Sequence, residues 1–448
     1  MTRKGLPGLT AQIKDKLIQQ ALERRLRHIE QETPGDVPVM ANAGAAIPEQ
    51  HYRFHLHPGY QQIRIINDGA ARMGIASPFF KLHEGTAGAT TIIGGREYIN
   101  YASYNYLGLS GHPATIEAAK AAIDKYGSSV SASRLVSGER PIHRELEQEI
   151  ARMYAVDDAI AMVSGHATNV TTIGHLFGAR DLVIHDELIH NSVVQGILLS
   201  GAKRLSFPHN DWQALDTLLA EQRHHFERVL IVVEAIYSMD GDYPNLPAFI
   251  EIKQRHKAFL MVDEAHSIGV MGATGNGIRE HFNLKGSDVD IWMGTLSKTL
   301  SGCGGYIAGE NALIEHLKFL APGFLYSVGM PPPVAAAAIA SLQTMHAEPQ
   351  RVTQLQERGR QFLALAKNAG IDIGTSTGLA IIPAIVGSSI RAARLSAAMF
   401  SRGVNVQPIL YPAVPEKSAR LRFFVSSQHT EAQIEETIKI LAEEIDRL

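Results

Sequence analysis

The sequence predicts an α/β protein: a mainly parallel sheet in a large domain, with a smaller C-terminal α+β domain. Three observations carry that prediction. From about residue 113, short apolar runs alternate with helical stretches, which is the signature of a parallel sheet with crossover helices. The runs "DAIAMVSG" (158–165), "DLVIHD" (181–186), "VLIVVEAIYS" (229–238), "AFLMVDEAH" (258–266) and "VDIWMGTLSK" (289–298) each end in polar or small residues. Past residue 330 the pattern changes to a proline-started helix and then to mixed helices and strands.

Taken in order, residues 1–60 read as an N-terminal helix and linker. "LTAQIKDKLIQQALERRLRHIE" puts Ile13, Leu17, Ala21, Leu22, Leu26 and Ile29 on one helical stripe, with lysines and arginines elsewhere. Such a stripe packs on its own protein or a dimer mate, docks a carrier protein, or lies on a membrane surface. "ETPGDVPVMANAGAAIPEQ", with three prolines and no period, reads as linker. Residues 61–112 are expected to pack with the small domain, 113–332 to form the large domain, and 333–448 the small one. In the last, "MPPPVAAAAIASLQTM" opens a helix, and "LAIIPAIVG" and "ARLRFFVSS" read as strands.

Composition narrows the function. With 448 residues, 45% hydrophobic and 19% charged, the chain can bury a large core. Lys+Arg 42 against Asp+Glu 45 argues against a nucleic-acid partner held by phosphate neutralisation. The single cysteine, Cys303, leaves no disulfide framework or cysteine-clustered metal site, and it reads as a small packing residue. No histidine group has ligand spacing, so no metal is expected. The start lacks a secretory apolar core, and no run approaches the roughly 20 residues of a membrane helix, so the reading is a cytoplasmic protein.

In open α/β sheets the ligand lies beyond the carboxyl ends of the strands, so the polar tails should line one site. Asp263 ends one strand, with His266 three residues on. The next tail carries Thr295, Ser297 and Lys298 before a glycine-rich turn. An acid, an imidazole, hydroxyls and an amine are what pyridoxal phosphate needs. Its aldehyde takes an amine, its ring nitrogen a carboxylate, and its phosphate amide and hydroxyl donors. Singly each signal is weak: a lysine at a strand end is also an ordinary surface side chain, and no G-x-x-x-x-G-K-[ST] accompanies it.

Together the blocks "NYLGLSGHP", "SASRLVSGERPIHRELEQEIA", "HDELIHNSVVQG", "IYSMDGD", "MVDEAHSIGVMG", "TLSKTLSGCGGY" and "ARLRFFVSS" resemble the α-oxoamine synthases. These are pyridoxal-phosphate enzymes of fold type I, the aspartate-aminotransferase fold. The resemblance implies that Lys298 forms the Schiff base with the cofactor, Asp263 pairs with its ring nitrogen, His266 hydrogen-bonds its phenolic oxygen, and His190 stacks over its ring. It places Ser238 near the cofactor, Thr295 at the phosphate, and the backbone of Gly165 and His166 in the phosphate-facing turn "SGHATN", where His166 replaces the usual aromatic. Arg422 matches the residue that grips the amino-acid carboxylate, with Asn105 as its helper and Arg420 as the alternative. His190 would also hydrogen-bond that carboxylate, and His266 would polarise the incoming carbonyl.

The implied reaction is decarboxylative condensation of an amino acid with an acyl thioester, on coenzyme A or an acyl carrier protein, releasing carbon dioxide and thiol. "SYNYLGL" is closer to serine palmitoyltransferase, so serine is expected over alanine or glycine. "DIWMGTLSKTLSGCGGYIAG" is likewise similar to oxoamine-synthase domains attached to polyketide assembly lines, which take the acyl group from a carrier protein. The family implies a homodimer, with the N-terminal helix as a candidate carrier-docking element. Another fold-type I enzyme (an aminotransferase or a lyase), a 2-amino-3-ketobutyrate ligase-like or 8-amino-7-oxononanoate synthase-like activity, and a non-catalytic partner subunit are the competing readings.

Overall fold

The computed structural model describes residues 47–72, 74 and 77–448. The apolar stripe from Ile13 to Ile29 lies outside the described residues. The chain divides into two compact units, one ending at Gly69 and the other running from Ala70 to Leu448. In the first, short turns at Glu49–His51 and Phe54–Leu56 lead into a helix that starts at Pro58. No helix among the described residues is long and apolar enough to cross a membrane.

Among the described residues the second unit holds thirteen strands: β1 (Thr90–Ile93), β2 (Arg96–Asn100), β3 (Asp158–Met162), β4 (Leu182–Asp186), β5 (Lys203–Phe207), β6 (Val229–Glu234), β7 (Phe259–Asp263), β8 (Ile291–Thr295), β9 (Gly305–Gly309), β10 (Ile381–Ile385), β11 (Val404–Asn405), β12 (Gln407–Ile409) and β13 (Arg420–Phe424). Seven form one sheet in the order β3-β9-β8-β7-β6-β4-β5. The pairs from β8 to β5 are parallel, and β9 lies antiparallel between β3 and β8. All five expected apolar runs are strands of this sheet. It is the expected fold class: a mainly parallel sheet with a smaller C-terminal sheet and helices.

The runs are continuous rather than alternating because both faces are covered. Along β6, Val229, Ile231 and Val233 enter one apolar cluster, while Leu230 and Val232 enter the other. In β4, Leu182 and Ile184 face the first cluster and Val183 the second. Burying each such side chain stabilises by roughly 1.5–3 kcal/mol, so the sheet is a stiff base for its carboxyl-end loops.

The smaller sheets are β10-β13-β12, antiparallel, and β1-β2-β11, in which Val404 lies opposite Ile99. The β6–β7 connection meets the first of these at Gly241. Its φ of +73° and the 2.0 Å that would separate a Cβ from the Ile381 carbonyl oxygen leave room for glycine alone. Arg420 of β13 fastens the same place by donating to the Met239 carbonyl (3.0 Å) and Asp240 (2.6 Å).

Candidate active site

The carboxyl ends of β6, β7 and β8 bring Glu234, Asp263 and Thr295 to one edge of the sheet, with Lys298 three residues past β8. Asp263 is buried; its Oδ2 accepts from Asn169 Nδ2 (2.9 Å) and its Oδ1 from the Ala265 amide (3.0 Å). The Lys298 amine stands 5.9 Å from the centre of the Tyr104 ring. Burial lowers it from 10.5 to about 8, against the pull of the Asp263 and Glu234 carboxyls. Lys298 is therefore a half-buried amine at the site rather than a fully exposed side chain.

His190 caps the helix Asn191–Ser200, and His166 lies in the first turn of the helix Gly165–Leu176. Both residues are partly open to solvent, their rings edge to face with centres 6.4 Å apart. Burial, followed by the charges of Lys298, His166 and Arg422, holds the His190 imidazole below its ordinary value, with Asp263 opposing. Gly165 lets this helix start close to β8, since a Cβ there would stand 2.9 Å from Thr295 Oγ1. The amides of Gly165 and His166 are first-turn donors with no intrahelical acceptor. Thr295 Oγ1 donates to the Gly304 carbonyl (2.8 Å) and accepts from the Ser297 amide (3.2 Å). Cys303, expected to pack, is exposed instead, because it sits in the turn from β8 back to β9.

His266 is buried and shares a 2.8 Å hydrogen bond with the Tyr106 hydroxyl. Burial, reinforced by the charges of Lys298, Arg422 and His190, drives its imidazole well below the ordinary value, so it is neutral. Arg422 reaches the Ser238 carbonyl (2.9 Å) and lies 4.5 Å from the centre of the Phe424 ring. It makes no ion pair among the described residues, whereas Arg420 is spent on Asp240. Ser238 is buried, and its amide donates to Glu234 Oε2 (3.2 Å). Asn105 is committed elsewhere: its Nδ2 donates to the Ala87 carbonyl (2.7 Å) and Ser110 Oγ (2.6 Å).

Sequence reasoning missed Glu234, Asn169, Ser192 and Tyr106. The only signal for Glu234 was an acid closing an otherwise apolar run. Its carboxyl is pushed well above the carboxylate range by burial and then by Asp263, and its Oε1 has no hydrogen-bond partner. His209 was also missed. It bridges Asp186 (Nδ1, 3.0 Å) and Asp242 (Nε2, 3.0 Å), tying the loop that carries His190 to the loop that carries Ser238.

Those two carboxylates raise His209 from 6.5 to about 10, overriding its desolvation. Because the folded value is the higher one, the stabilisation is complete below about pH 6.5 and is lost as pH rises through about 10. His209→Gln should therefore unfold at lower urea than the parent at pH 6, and the gap should close by about pH 10.5. A gap that does not vary with pH would remove the ion triad from this account.

The arrangement fits pyridoxal phosphate. It offers an amine, a buried carboxylate, exposed imidazole faces and glycine-lined first-turn amides. It also has a buried acceptor without a partner at the carboxylate, Asn169 Oδ1.

Comparison with known proteins points the same way. The family model "Aminotransferase class I and II" matches residues 96–441. The chain is 38% identical over 375 residues to 8-amino-7-oxononanoate synthase of Symbiobacterium thermophilum, covering 84% of this chain and 95% of that one. It is 38% identical over 346 residues to 4-hydroxy-2,2'-bipyrrole-5-methanol synthase PigH of Serratia sp., but spans only about half, 52%, of that protein's length. Serine palmitoyltransferase from S. paucimobilis, solved with a PLP–myriocin adduct, superposes with a TM-score of 0.82 at 27% identity, covering 87% of this chain and 99% of that one.

Proposed function

The chain belongs to the aminotransferase class I and II family as a pyridoxal-phosphate-dependent acyltransferase of the α-oxoamine synthase kind, and from that premise we propose that it condenses L-serine with an acyl thioester. The observation that carries the amino-acid half is Arg422, a half-buried guanidinium with no ion pair among the described residues, within electrostatic reach of Lys298. A fork of N–H donors left without an anion is suited to the carboxylate of an incoming amino acid.

Bound pyridoxal phosphate supplies an electron sink for charge that develops on the substrate α-carbon. The chain's own groups do the rest. Asp263, held by Asn169 and the Ala265 amide, keeps a negative charge where a ring nitrogen must stay protonated. Lys298, lowered to about 8, takes a proton at Nζ near neutral pH far more readily than an ordinary lysine, which is already charged. Neutral His266, steadied by Tyr106, offers a hydrogen bond without adding positive charge. The first-turn amides of Gly165 and His166 receive the phosphate, with Ser238 and Thr295 beside the cofactor. In this reading Asn105 supports the Arg422 side of the site through its loop rather than by free donors.

Serine rests on the likeness of "SYNYLGL" to serine palmitoyltransferases, with alanine and glycine as the competing amino acids. The donor is coenzyme A or a carrier protein docked through the N-terminal helix, and the assembly is a homodimer. The test is release of thiol and carbon dioxide by the loaded enzyme given serine, alanine or glycine with an acyl thioester. Release with serine first in rate is the expected result. Conversion of the amino acid to its keto acid without thioester would make the enzyme an aminotransferase.

A further inference from the structure

Two buried side chains, Asn169 and Ser192, join Asp263 to His190, and hydrogen-bond chemistry sets the direction of the links between them. Asp263 Oδ2 lies 2.9 Å from Asn169 Nδ2. An ionised carboxylate only accepts, so the amide must turn its nitrogen, not its oxygen, toward it. The other hydrogen of that nitrogen goes to Ser192 Oγ, also at 2.9 Å. Ser192 Oγ therefore accepts from Asn169, which leaves its own hydrogen and one lone pair for the 2.7 Å link to His190 Nδ1.

A donor of fixed direction reaches the same ring nitrogen. The backbone amide of Ser192 points at His190 Nδ1 from 3.3 Å, and a backbone N–H cannot accept. With that donor on it, Nδ1 has no place for a proton of its own, and the Ser192 hydroxyl hydrogen completes the link. Asn169, Ser192 and Asp263 are 1%, 0% and 4% exposed, so water does not offer them other partners.

We propose that Asn169 and Ser192 are positioning residues that bridge Asp263 to His190 and lock His190 as the neutral tautomer bearing its proton on Nε2. The imidazole then meets whatever lies before it as a hydrogen-bond donor and as an uncharged face. Over a protonated pyridine ring an imidazolium would be repelled, whereas a neutral imidazole stacks. That the Nε2 proton faces a substrate carboxylate rests on the function proposed above; the tautomer does not.

The groups that bear on His190 come from several elements. They are Asp263 on β7, Lys298 past β8, His166 on the helix Gly165–Leu176, Arg422 on β13, and Glu234, which ends β6 and meets the His190 backbone. Lys298, His166 and Arg422 disfavour a second proton on the ring and Asp263 favours one, so the bridge adds to a balance that already leans toward the neutral form.

The test is 15N NMR of the full-length protein labelled at histidine, without and with pyridoxal phosphate, assigned with His190→Gln. The expected wild-type spectrum has an unprotonated Nδ1 and a protonated Nε2 at His190 across neutral pH. A protonated Nδ1 would overturn the proposal with no variant needed. In Ser192→Ala, or in Asn169→Leu should the first not fold, His190 should take up its second proton about one pH unit or more higher, and Ser192→Thr should restore the parent value. An unchanged titration in a folded variant would show that the bridge does not set the ring's state. On the loaded enzyme, the acid limb of kcat/KM should move up with that titration, whereas a merely structural loss lowers the plateau and leaves the limb in place. Because the first spectra need neither cofactor nor substrate, failure of the bridge and failure of the functional reading are separate results.

Discussion

Lys298→Met should abolish condensation and, at the same time, make the cofactor-free protein harder to unfold. The unfolded chain keeps the lysine proton to about pH 10.5, while the folded chain releases it at about 8. Below 8 the native state therefore holds a desolvated ammonium at a cost, and that cost disappears as pH rises through 10.5. Lowering the amine from 10.5 to about 8 corresponds to about 3 kcal/mol at most. Methionine fills a similar volume without a charge. Urea unfolding of the cofactor-free proteins at pH 7 should favour the variant, and the advantage should fade by about pH 10.5. A variant less stable than the parent at pH 7 would mean that the amine is not held against its own solvation.

If Lys298 bonds the cofactor as proposed, the same shift governs cofactor uptake, since only the neutral amine can bond a carbonyl carbon. At pH 7 an amine at 8 is neutral about one time in ten, against about one in three thousand for an ordinary lysine. The site thus sacrifices stability to keep a usable nucleophile.

The second large effect lies away from the chemistry. Arg134 is 7% exposed; it grips Glu139 through Nε and Nη2 (2.5 and 2.7 Å) and Glu147 through Nη1 (2.5 Å). Glu147 is fully buried, and its other oxygen has only the more distant Arg144 (3.6 Å) and Lys318 (3.4 Å). Arg134→Met would strand that carboxylate with the Ala161 amide (3.0 Å) and those two more distant cations, at a cost of up to about 3–5 kcal/mol. Replacing both partners, Arg134→Met with Glu147→Leu, removes the stranded charge and should recover much of the loss. The check is a double-mutant cycle by urea unfolding; additive losses would show that the pair is not coupled.

The strands could be read because the large sheet is parallel and covered on both faces, so its runs are continuously apolar and their polar tails stand out. Lys298 and Asp263 were visible for that reason. What lay hidden depended on where side chains spend their hydrogen bonds. Arg420 and Arg422 are two residues apart on one strand and are equivalent on paper; only the position of Asp240 separates the occupied guanidinium from the available one. Asn105 looked like a free amide until Ala87 and Ser110 were seen to take both its hydrogens. Asn169 and Asp263 are 94 positions apart, and no local pattern announces their contact. Glu234 was masked by the apolar run it terminates.

One feature of the architecture separates two tasks that many enzymes combine. Asp263, Lys298 and His190 are borne by the seven-stranded sheet and its loops, whereas Arg422 is borne by β13 of another sheet, joined to the first at Ser238, Met239 and Asp240. In the function proposed above, changes in β13 and its neighbours would therefore act on the amino-acid side of the site while Lys298 and Asp263 stay in place on the large sheet.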